Sequence, residues 1–106
     1  MSNRNIREDT RKLLEQSPLP GEGIDMKVRQ LLKSEYIRML ARYRHVDFLM
    51  TQKYGMTFDE FVNRKIVRQK EYEWDVESDA MEWETAISGM KSIKSKLQKL
   101  QEPSVV

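Results

Sequence analysis

Cysteine is absent from the chain, which excludes disulfides, thiolate metal sites and a cysteine nucleophile together. Small secreted domains usually rely on such staples, so a reducing, cytoplasmic setting is expected. Glycine and proline are scarce, at four and three residues, which argues against a sheet protein or a disordered tail. Histidine occurs once, as His45, too little for a zinc site without cysteine. No apolar run approaches membrane-spanning length, and the polar stretch from Met1 to Ile6 lacks the apolar core of a signal peptide. Neither charge dominates: 19 Lys and Arg stand against 17 Asp and Glu, for a net charge of +2. That excess is too small to argue for nucleic acid by itself.

What the chain does contain is charge in quantity, 34% of its 106 residues. That proportion, with so few helix breakers, reads as long solvated helices. The length suits one domain, marginally stable as a monomer, and helical chains of this size often gain stability by dimerising. Three regions are expected: an N-terminal arm and linker over 1–24, a helical domain over 25–102, and a tail over 103–106.

In the arm, Ile6 and Leu13 are two helical turns apart, enough for a short helix that is marginal alone in water. It either folds on the body or a partner, or stays loose. Ser17-Pro18-Leu19-Pro20-Gly21-Glu22-Gly23 interrupts any helix. Asp25 reads as the N-cap of a helix running to about Lys53. Its apolar positions Val28, Leu32, Tyr36, Met39, Tyr43, Val46 and Met50 form a heptad-like seam. Leu31, Leu40 and Leu49 are expected to widen it.

Tyr54-Gly55 ends this helix, because glycine accepts the left-handed conformation that closes a last turn. Thr57-Phe58-Asp59-Glu60 matches a capping box, with Met56 and Phe61 placed as a hydrophobic staple. The short helix it opens is expected to reach about Arg68, turning Phe58, Phe61, Val62 and Ile66 inward. After a connection carrying Tyr72 and Trp74, Asp75 or Ser78 caps a last helix to about Gln101. Val76, Ala80, Trp83, Ile87, Met90, Ile93, Leu97 and Leu100 make its apolar face. Acidic residues crowd its start and lysines its end, both favourable to the helix dipole. Gly89 reads as a local weakness, costing about 1 kcal/mol relative to alanine. The expected fold is all-α: a long antiparallel helical hairpin with a short connecting helix and an N-terminal arm, working as a dimer.

The stretch from Glu71 to Glu84 holds seven carboxylates and no cation. It lacks the glycine turn of a calcium loop. It serves equally as dipole complementation or as an electrostatic face for a basic partner, and the two are compatible. Trp83 lies on the apolar seam, whereas Trp74 falls outside the periodic pattern and suits an interface anchor. Arg38, Arg42 and Arg44 are candidate phosphate contacts, though no recognition-helix motif accompanies them. His45 and Asp47 are two residues apart and so point to different helix faces. There is no glycine-rich phosphate loop, nucleophile elbow or paired histidine–carboxylate motif. An enzyme is therefore the least expected class, and no catalytic residue, cofactor or metal ligand is assigned.

From Leu40 onward the chain carries Lys53-Tyr54-Gly55-Met56, then Thr57-Phe58-Asp59-Glu60-Phe61, then Trp74-Asp75-Val76-Glu77-Ser78-Asp79, and Trp83-Glu84. This order resembles small helical antitoxin-like proteins of archaea and bacteria, encoded beside toxins. The resemblance implies action by occlusion, with the hairpin covering a toxin's active surface through an acidic-aromatic face. The partner-binding residues expected on that basis are Tyr72, Trp74, Glu77, Asp79 and Glu84. Two alternatives stay open: a small dimeric DNA-associated regulator, and a structural coiled-coil scaffold.

Overall fold

The computed structural model describes residues 6–101, and these are all-helical, with no strand among them. Five helices follow in order: α1 (Glu8–Gln16), α2 (Gly23–Tyr54), α3 (Phe58–Asn63), α4 (Ile66–Gln69) and α5 (Trp74–Gln101). Among the described residues no helix is long and apolar enough to cross a membrane. Contacts divide the chain into two units between Glu35 and Tyr36, inside α2. The tail expected over 103–106 lies outside the described residues.

In the first unit, α1 receives its closing hydrogen bonds from two sources. Ser17 donates from both its amide (3.2 Å) and its hydroxyl (2.6 Å) to the Leu14 carbonyl. Lys27 Nζ then donates to the carbonyls of Glu15, at 2.9 Å, and Ser17, at 3.0 Å. A lysine thus satisfies carbonyls that a helix end leaves orphaned. Gly21, at φ +107°, is needed where it stands, since a β-carbon there would lie 2.7 Å from Cβ of Met26. α2 begins at Gly23, two residues before the expected cap. Asp25 sits inside the first turn, where it pairs with Arg29 at 2.9 Å. Leu31 and Leu32, expected along the seam, are exposed.

The second unit holds the main core. Met50 of α2, Phe61 of α3, Ile66 of α4, and Val76 and Trp83 of α5 are buried together. Val46, Tyr54, Met56, Phe58, Val67, Ala80 and Ile87 pack against them. Trp83 is the centre, with 0% of its surface exposed. The rings of Phe61, Phe58 and Tyr54 surround it at centroid distances of 5.2, 5.4 and 6.0 Å. Its indole N–H donates to Asp47 at 2.8 Å, so the one polar atom of this side chain is satisfied where an orphan would cost about 1–3 kcal/mol. Leu40 is buried as the seam requires, but Leu49 is exposed, because it stands one residue, about 100°, from Met50 around the helix.

Between α2 and α5 the chain turns three times. Gly55 takes φ +67° and its amide closes on Thr51 at 2.8 Å. Thr57 and Glu60 then form the reciprocal capping box. The expected single connecting helix is instead two, because Lys65 adopts a left-handed φ of 53° and separates α3 from α4. Val62, one residue around α3 from the buried Phe61, is exposed and not inward as expected, while Ile66 is buried. The apolar face expected for α5 packs inward, with Val76, Trp83 and Ile93 buried and the other members half-buried.

Candidate functional site

The connection from α4 to α5 is built on a paired helix-end motif. Tyr72 N–H donates to the Val67 carbonyl (2.9 Å) and Glu71 N–H to the Arg68 carbonyl (3.0 Å). That pattern normally places glycine at the residue after the cap. Here the two left-handed residues are Glu71 (φ 56°) and Tyr72 (φ 57°). A side chain in that conformation costs roughly 1–2 kcal/mol. Tyr72 is itself 60% exposed, and Trp74, two residues on, is 74% exposed.

Trp74 opens α5, and its place on the helix is informative. Met81 stands seven residues, two turns, further on. It is 68% exposed, and both point away from the buried face of Val76, Trp83 and Ile93. At 3.6 residues per turn, Asp75 and Glu82 border this stripe on one side, and Glu77 and Glu84 on the other. Asp75, Glu82 and Glu84 are exposed and Glu77 is half-buried. The result is an apolar strip two turns long between two rows of carboxylates. Sequence reasoning found Trp74 and the acids but missed Met81, whose signal was its seven-residue offset from Trp74 on an otherwise polar face.

Asp79 does not join that surface. Its side chain is 16% exposed and accepts from Lys53 Nζ at 2.5 Å and from the Tyr54 hydroxyl at 2.6 Å. Burial pushes the Asp79 carboxyl up, but the Lys53 and Tyr54 hydrogen bonds and the Lys53 charge outweigh it and hold it below the usual range. The Tyr54 hydroxyl is pushed well above its ordinary value, by burial first and then by its bond to Asp79. Lys53 is raised in turn, chiefly by its own hydrogen bond to Asp79. Asp79 therefore ties the end of α2 to α5.

Between α3, α4 and α5 lies an open cleft of about 190 Å³, lined mainly by Phe58, Phe61, Val62, Ile66 and Ala80, with Lys65 and Glu84 also in its wall. Glu84 thus belongs both to this cleft and to the acidic border of the α5 strip. A second recess, of about 230 Å³, is bounded by Asp47, Thr51, Thr57, Asp59 and Lys91 among others. No group of three His, Asp or Glu among the described residues is placed to hold a metal ion.

On α2, Arg38, Arg42 and Arg44 are all exposed. They do not share one face: Arg38 and Arg42 run along one edge of the outward surface, and Arg44 along the other. Between the edges stand Ile37 and Phe48, and Leu49 lies along the edge of Arg38 and Arg42; all three are exposed. His45 lies on this face, whereas Asp47 is turned inward to Trp83, so the two form no acid–base pair. No family model, curated protein or solved structure matches the chain.

Proposed function

We propose that this chain is an antitoxin-like, cytoplasmic protein–protein interaction module that neutralises a basic partner, such as a small toxin, by covering its active surface. The carrying observation is the Trp74–Met81 strip on the outward face of α5, bordered on both sides by carboxylates. Large exposed apolar side chains at the centre of a polar rim are the usual anatomy of a binding hot spot. The carboxylate rows select a cationic surface and steer its approach. The left-handed Glu71 and Tyr72 add to this reading. Glycine would fit both backbones at lower cost, and side chains kept at strained positions often serve a function. Among the residues expected at the interface, Tyr72, Trp74, Glu77 and Glu84 stay in this proposal, and Met81 joins them. Asp79 acts behind them as a support.

The test is capture of a partner by the tagged full chain, compared with a Trp74→Ala/Met81→Ala double variant. A stoichiometric basic protein should bind the parent and be lost by at least tenfold in affinity from the variant, about 1.4 kcal/mol or more. Circular dichroism should show helicity unchanged. Equal capture by both chains refutes the reading. Co-expression completes the test, because the captured partner should be toxic alone and harmless with this chain.

A further inference from the structure

The outward faces of α2 and α5 are charge-reversed counterparts. On α5, Trp74 and Met81 lie between Asp75 and Glu82 on one side and Glu77 and Glu84 on the other. On α2, Ile37 and Phe48 lie between Arg44 on one side and Arg42 on the other, with Leu49 along the edge of Arg42. The lengths also agree: Ile37 to Phe48 and Trp74 to Glu84 each span roughly 15 Å at 1.5 Å per residue. Both faces point away from the core that joins the helices through Asp47–Trp83 and Lys53–Asp79.

We infer that the α2 face is a docking surface for a second copy of this chain, which seats its acidic α5 strip there. Charge selects this occupant. Two α2 faces brought together would set arginines against arginines, and two α5 faces carboxylates against carboxylates, whereas α2 against α5 pairs opposite charges around an apolar centre. Because the faces lie on opposite sides of the helix pair, the contact is heterologous. One copy offers its α5 strip and the next its α2 face, so each added copy still presents one face of each kind. Assembly therefore proceeds past the dimer unless it closes into a ring. The inference shares the α5 strip with the proposed function: a basic partner would compete with the neighbouring copy for the same residues.

The experiment is sedimentation velocity on the full chain over a concentration series, with two charge-reversed variants. Glu82→Lys/Glu84→Lys cancels the negative charge of the α5 strip, setting two lysines against Asp75 and Glu77, and Arg42→Glu/Arg44→Glu turns the α2 face acidic like the α5 strip. All four residues are exposed, so the fold tolerates the changes. The parent should associate with rising concentration and weaken by about tenfold or more between ~0.05 and ~0.5 M salt. Each variant alone should stay monomeric, and an equimolar mixture should associate again. A parent that is monomeric throughout, variants that associate like the parent, or a mixture that stays monomeric overturns the inference. Loss of self-association with intact, Trp74-dependent capture of a basic partner would leave the proposed function standing. Self-association with Trp74-independent capture would do the reverse.

Discussion

A β-carbon at position 89 would lie 2.5 Å from Cε2 of Tyr43 and within 2.8 Å of two more atoms of that ring. The ring of α2 therefore rests directly on the backbone of α5. Gly89→Ala should gain about 1 kcal/mol of helix propensity and lose more, because overpacking a fitted contact costs about 1–3 kcal/mol and a ring edge cannot bend away as a flexible chain end can. The expected net effect is destabilisation by about 1 kcal/mol, seen as a lower urea midpoint; a stabilised variant would contradict it. From sequence, Gly89 reads as a weakness of its own helix, because its partner belongs to another. Trp83 was legible by contrast, since its place on the seam of α5 depends only on neighbours along that helix. Asp79 and Asp47 were not, because their hydrogen bonds to Lys53, Tyr54 and Trp83 join residues far apart in the chain.

Elements declare themselves when their signals are local. Thr57 and Glu60 lie one turn apart, so the capping box and the start of α3 follow from four consecutive residues. The glycine stop after Tyr54 follows in the same way. The break between α3 and α4 was hidden, because Lys65 has no preference for the left-handed conformation that makes it. The early start of α5 was hidden too: neither Glu71 nor Tyr72 announces the helix-end motif in which they stand. That motif yields a prediction. Glu71→Gly should relieve the backbone at φ 56° and stabilise the fold by about 0.5–1 kcal/mol, after allowing for the added freedom of glycine in the unfolded chain. Denaturant titration measures this, and an unchanged or lower midpoint would mean that the glutamate side chain itself stabilises the turn.

Stability of the molecule against pH follows from the group at Asp79. Tyr54 is raised in the fold above its ordinary value of 10.0, so the native state holds that proton more tightly than the unfolded chain. Its contribution is complete below pH 10 and is lost as pH rises towards the folded value. Asp79 is lowered below 3.8, so its contribution is present above that value and disappears as pH falls through the folded one. Urea midpoints should therefore form a plateau that drops at both extremes. Because Lys53 is raised as well and keeps part of the alkaline limb, Tyr54→Phe should make that limb shallower and keep the acid limb, itself with a smaller drop once one hydrogen bond to Asp79 is gone. An alkaline limb as steep as the parent's would assign it to other groups. None of this was legible in the spacing of charges, which groups Asp79 with the surface acids beside it.

The amine of Lys27 on the carbonyls of Glu15 and Ser17 has a consequence in time. A helix of nine residues such as α1 is too short to persist alone in water. During synthesis its residues leave the ribosome before Lys27 does, and the carbonyls of Glu15 and Ser17 stay open until then. The end of α1 is thus completed only after α2 has begun, so this stretch cannot finish folding strictly in the order of translation.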